Sequence, residues 1–110
     1  MINKKIATFI ECIEKNHFYE AHEILEEVWF PRRFENCIEV QLLKGFINAA
    51  VSFELIKRGR IIQSKKVWAN YLKYRKNLYN ISSQYKNSYF QLARYLENKQ
   101  LTLLRHQISI

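Results

Sequence analysis

The chain of 110 residues contains no aspartate, and it is poor in glycine (Gly45 and Gly59), proline (Pro31 alone), cysteine (Cys12 and Cys37) and methionine. An all-β domain needs many tight turns, and tight turns need glycine and proline, so their scarcity argues for helices. Neither cysteine stands in a C-x-x-C or similar ligand spacing, so both read as small buried hydrophobes rather than as metal ligands. No apolar run approaches the length that crosses a bilayer, and Met1 to Lys5 lead into a mixed amphipathic stretch rather than a secretory leader. The expectation is a cytoplasmic protein with reduced thiols and no membrane partner.

What is abundant is apolar and aromatic content, 48% and 15% of residues, which suits a globular chain with a real core. The length fits one domain over residues 1–110. Charge is unevenly divided. Residues 1–54 hold six Lys or Arg against nine Glu, whereas residues 55–110 hold twelve against one, for a formal total of +8. Such a division sets an acidic region beside a basic one. The basic region attracts nucleic acid or an acidic partner, and the acidic half of a second copy would serve as well, which makes a homodimer one reading.

Apolar spacing predicts an all-α, compact bundle of about five helices. The first spans residues 3–15, through Ile6, Phe9, Ile10 and Ile13, with Asn16 as its C-terminal cap. The second spans 18–30, through Phe18, Ala21, Leu25 and Val28, and Pro31 ends it. Asn36 and Glu39 have the spacing of a capping box opening a third helix, which runs to about Arg58 with Gly59 as its stop. That helix is apolar around most of its circumference, as a central helix is. A fourth covers 60–80 and a fifth roughly 88–98. The final residues from Leu101 on are open between a helix and an extended tail.

Candidate chemistry concentrates on the second helix, F-Y-E-A-H-E-I-L-E-E-V-W. His22, Glu26 and Trp29 fall at i, i+4 and i+7 and share a face, with Glu23 and Glu27 one step around. A histidine and a carboxylate one turn apart have three uses: two ligands of a divalent metal, a general base with its orienting carboxylate, or a polar pair that satisfies itself. On the third helix Gln41, Gly45, Asn48 and Ser52 make a polar or small stripe. A glycine inside a helix costs roughly 1 kcal/mol against alanine, so Gly45 implies close approach of something large, for which Trp29 is the candidate. Glu54 adds a carboxylate further along. His17 reads as a solvent-facing residue at a helix junction, His106 falls in the tail left open between helix and extended chain, and Trp68 reads as core or interface.

The segments Y-E-A-H-E-I-L-E-E-V-W, L-L-K-G-F-I-N-A-A-V-S-F-E and R-G-R together resemble the bacterial and archaeal family known as domain of unknown function 309. The similarity covers roughly residues 10–80. It implies a compact helical bundle, and members are often labelled predicted metal-dependent hydrolases, a label itself inferred from the His and Glu pattern. His22, Glu23, Glu26, Trp29, Gly45, Ala50 and Gly59 match the family pattern. Lys44 stands where the family has Gln and Glu54 where it has His.

Three functional readings follow. The first is a structural or binding module with its His22–Glu26–Trp29 cluster between the second and third helices. The second is a metal-dependent hydrolase, with a divalent metal on His22, Glu26 and Glu54. The third is a nucleic-acid-binding protein working through residues 57–105, where basic residues alternate with Trp68, Tyr71, Tyr74, Tyr79, Tyr85 and Tyr89.

Overall fold

The computed structural model describes residues 2–108, with side chains as far as 106. Five α-helices carry the fold: α1 (Ile2–Glu14), α2 (Phe18–Trp29), α3 (Ile38–Lys57), α4 (Ile61–Arg75) and α5 (Lys86–Ile108). Short 3₁₀ turns, Phe30–Arg32 and Lys76–Tyr79, extend α2 and α4. There is no strand among the described residues.

The chain reverses twice by the same device. Asn16 has φ of 60°, and the His17 amide donates back to the Cys12 carbonyl at 2.8 Å. Gly59 has φ of 76°, and the Arg60 amide donates to the Leu55 carbonyl at 2.8 Å. Each is a left-handed cap that satisfies the last carbonyls and turns the chain into the next helix. The opening of α3 departs from expectation. Cys37, not Asn36, is the N-cap, and no side chain caps the helix. Glu39 is drawn away by stronger partners, the hydroxyls of Tyr89 and Ser83, which donate to it at 2.5 and 3.1 Å.

The central helix is α3, which packs against α2, α4 and α5, with α1 closing over α2 and α5. Leu42, Leu43, Phe46, Ala49, Ala50 and Phe53 have no accessible surface. Along this core the aromatic rings form a chain. Phe18 meets Phe53 (centroids 5.6 Å apart), Phe53 meets Trp68 (5.9 Å), and Trp68 meets Tyr71 (4.5 Å). Phe46 then bridges Tyr71 and Tyr89 at 6.2 and 5.9 Å. Each such pair adds about 0.5–1.5 kcal/mol beyond the area it buries, so the chain stitches α2, α3, α4 and α5 together.

α5 is held by a further pattern. Its neighbours meet it through tyrosine–glutamate bonds: Tyr89 to Glu39 of α3, Tyr71 of α4 to Glu97 at 2.7 Å, and Tyr95 to Glu14 of α1. Arg75 also donates to Glu97. Glu97→Ala leaves the buried Tyr71 hydroxyl only its long bond to the Ala93 carbonyl (3.5 Å), and leaves Arg75 only the Tyr79 hydroxyl (3.3 Å). The expected loss is about 1–3 kcal/mol of unfolding free energy, read from urea titration followed by circular dichroism. The bond is ornamental if the midpoint does not move. The last residues, open in the sequence between helix and tail, continue α5 to Ile108, with Leu103 and Leu104 packed against the core.

Candidate functional site

α2 turns its polar face along α3, and a groove of about 260 Å³ opens between the two helices. Phe18, Tyr19 and His22 line it from α2; Val51, Glu54, Leu55 and Arg58 line it from α3 and its end. The placement follows from spacing. Residues 51, 55 and 58 recur at i, i+4 and i+7, and 18 and 22 at i and i+4 with 19 beside them, so two short stripes face each other across the helix contact.

The polar groups on the rim are pre-paired. His22 Nε2 lies 2.7 Å from Glu26 Oε2, and Arg58 Nε donates to Glu54 Oε2 at 2.7 Å. A neutral imidazole making this contact carries its proton on Nε2 and presents Nδ1 as an acceptor. The Tyr19 ring packs beside it, its centroid 5.7 Å from that of His22. The His22–Glu26 contact stays within one helix and is partly open to solvent, which limits its value to roughly 0.3–0.5 kcal/mol. It sets the orientation of a ring rather than tying helices together.

The other expected site residues separate into different places. Glu23 lies with Glu26, Glu27 and Phe30 around a shallow acidic hollow on the far side of α2. Gly45 is buried against α4, not α2: a Cβ there would stand 2.8 Å from the Cβ of Tyr74. Tyr74, rather than Trp29, is the group the glycine admits. Gln41 shares that side and accepts a hydrogen bond from Asn77 at 3.2 Å. The Asn48 amide donates to the Lys44 carbonyl of its own helix at 2.9 Å. Trp29 carries Lys44 on its face, with Nζ 4.3 Å from the ring centroid. The stripe Gln41–Gly45–Asn48–Ser52 is therefore a seam for α4, and the face turned to α2 is the one through Lys44, Val51 and Leu55.

Of the residues that line the groove, the sequence marks His22 and Glu54 as candidates and does not mark Tyr19, Val51, Leu55 or Arg58; Glu26 enters only through its contact with His22. The signal was present in Glu54 and Arg58, whose i, i+4 spacing is that of a helical ion pair. Of the aromatic residues in 57–105, Trp68, Tyr71 and Tyr89 are buried in the core and have no face to offer a base.

As a metal site the constellation is incomplete. His22 and Glu26 offer two donors side by side, whereas a catalytic zinc site keeps three protein ligands. Among the described residues, no three His, Cys, Asp or Glu side chains are gathered so as to hold an ion. Nor is any helix of the described residues long and apolar enough to cross a membrane.

Comparison with curated proteins and with solved structures yields no match. The segment that builds the groove, from the start of the α1 core through the first half of α4, nevertheless has a family signature. A family model described as "Domain of unknown function (DUF309)" matches residues 6–67, more than half of the chain, and by that match the protein belongs to the DUF309 family.

Proposed function

We propose that the protein is a binding module whose α2–α3 groove takes a compact, mainly apolar ligand with one polar end. The observation that carries this reading is the groove itself. Its floor is apolar (Phe18, Val51, Leu55), and its rim holds three polar groups that converge on one opening, His22, Glu54 and Arg58. Ligand sites have this composition: apolar walls for affinity and a few placed polar groups for orientation. At about 260 Å³ the groove suits a small molecule or a single side chain of a partner, not a large cofactor. The pairs His22–Glu26 and Glu54–Arg58 hold the rim in one arrangement before a ligand arrives, which lowers the ordering cost of binding.

The test is a fragment titration followed by amide NMR on the full chain. Shifts should cluster on Tyr19, His22, Val51 and Leu55. Leu55→Trp places an indole in the groove from a half-exposed position, so it should fold normally and abolish those shifts. Fragment shifts that scatter over the surface, or that survive in Leu55→Trp, would overturn the reading.

A further inference from the structure

A second surface, on the other flank of the α2–α3 contact, has a chemistry the groove does not share. A cavity of about 220 Å³ is lined by Trp29, Arg33, Glu35, Val40, Gln41, Lys44 and Tyr74. Cations stacked on aromatic rings gather around it. Lys44 sits over Trp29 at 4.3 Å, and Lys73 over Tyr74 at 5.4 Å. Arg33 sits over Phe30 at 3.6 Å and over Phe34 at 4.5 Å. Phe34 is 88% exposed and Phe30 52%, so this rim presents open ring faces to solvent.

The carboxylates near this rim are occupied. Glu35 accepts from Arg32 at 3.2 Å, and Glu39 accepts from Tyr89 and Ser83. Phe30 also lines the hollow of Glu23, Glu26 and Glu27, so the acidic groups stand next to Phe30, and Phe34 is the ring offered to a base. No ion pair with a carboxylate holds Arg33, Lys44 or Lys73 among the described residues. Positive charge beside flat apolar faces, with a cavity large enough for one planar ring between them, is the chemistry that single-stranded nucleic acid requires: aromatic faces for bases and cations for the phosphates between them.

We infer that the Trp29–Arg33–Lys44–Tyr74 cavity and its rim of Phe34 and Lys73 bind single-stranded nucleic acid. One base enters the cavity beside Trp29 and Tyr74, and the flanking phosphates lie on Arg33, Lys44 and Lys73. The formal charge of +8 draws a polyanion to the protein, and Arg33, Lys44 and Lys73, which have no carboxylate partner among the described residues, stand to receive it. Most of the surface comes from residues 29–44, outside the basic half that composition alone singles out.

The experiment is fluorescence anisotropy with a labelled oligothymidylate of about twelve nucleotides at about 20 mM salt, on the full chain. Binding should weaken with salt along a log–log slope of about −2, the value for three phosphate contacts on a single strand. The variant Arg33→Gln/Lys44→Gln should bind at least about tenfold more weakly, and Phe34→Ala about fivefold. Lys4→Gln/Lys15→Gln removes the same charge from α1 and the turn after it, away from the cavity, and should lose less than about threefold. Trp29 emission should be quenched on binding, with Trp29→Phe identifying the signal against buried Trp68. Retained helical circular dichroism certifies each variant, and Lys73→Gln replaces the double variant if that one does not fold. The inference fails if there is no binding at low salt. It fails equally if the α1 control loses as much as the cavity variant, or if a duplex binds as well with Trp29 unquenched.

Discussion

Gly45→Val should cost about 3 kcal/mol or more of unfolding free energy, and Gly45→Ala about 1 kcal/mol. Two opposing effects set these values. Replacing a helical glycine by alanine gains up to about 1 kcal/mol of helix propensity. Against that, any Cβ at this position meets the Cβ of Tyr74 at 2.8 Å and the Tyr71 carbonyl oxygen at 3.6 Å. The second is an ordinary contact; the first is a clash, and because Cβ is fixed to the backbone rather than being the tip of a flexible side chain, the strain is relieved only by moving α4 off α3. Overpacking of this kind costs about 1–3 kcal/mol for small additions, and the branched methyls of valine drive further into the same seam. The displacement also pulls Tyr71 and Trp68 from the ring chain that joins them to Phe46 and Phe53. Urea titration gives the energies, and near-ultraviolet circular dichroism reports the loosened rings. Tyr74→Phe should not rescue either variant, because the clash is with a carbon that every residue except glycine carries. An alanine variant more stable than the parent would show that the close approach is absent.

The same glycine shows what the sequence discloses and what it withholds. Its presence inside an apolar helix says that something approaches closely. The spacing 41, 45, 48, 52 says that the approach runs along one face. Nothing in spacing says which neighbour comes, because a central helix has several neighbours and their order around it depends on contacts distant in sequence. Trp29 and Tyr74 were both large rings within reach, and Tyr74 takes the place because α4 lies antiparallel to α3 after the tight turn at Gly59, whereas α2 follows a longer path through Pro31 and the loop beyond it.

The capping expectation at Asn36 went astray for a related reason. Local chemistry favours a box with Glu39, but that carboxylate has distant suitors in Tyr89 and Ser83, and a phenol donating from within the core outweighs an exposed cap. Local patterns hold where only local groups compete: the left-handed caps at Asn16 and Gly59 and the His22–Glu26 contact. Pro31 does not push Phe30 out of the helical region: Phe30 keeps φ of −57° and ψ of −46°, and the chain runs on through the 3₁₀ turn Phe30–Arg32, because proline fits the first positions of a helical turn. The groove needed two stripes from different helices to be paired, and only His22 and Glu54 carried a chemical label that marked them beforehand.

Alkaline solution should unfold the protein steeply above about pH 10, and Tyr71 and Tyr89 should be the cause. Both side chains are fully buried and donate their hydroxyls to carboxylates, Glu97 and Glu39. Burial first, then the bond to a negative partner, pushes each phenol far above its ordinary value near 10. The sign follows directly. Below about pH 10 both states keep the phenols neutral, and stability is unaffected. Above it the unfolded chain releases those protons while the folded chain retains them, so the unfolded state is favoured. Each such tyrosine removes about 1.4 kcal/mol per pH unit, and the two together about 2.7. Two units are then comparable with the whole stability of a small domain, about 5 kcal/mol at the lower end. Tyr71→Phe/Tyr89→Phe isolates this contribution. It keeps Glu97 paired with Arg75 and Glu39 with Ser83; the two lost hydroxyl bonds lower stability by an amount that does not change with pH, so the slope of stability against pH reports the two ionisations. Urea midpoints between about pH 8 and 12 should fall steeply in the parent and much less in the double variant. Phenolate absorbance of the parent should show the burst of ionisation arriving together with unfolding. Two phenols that titrate normally while the helices remain intact would mean that these hydroxyls are not sealed in the core.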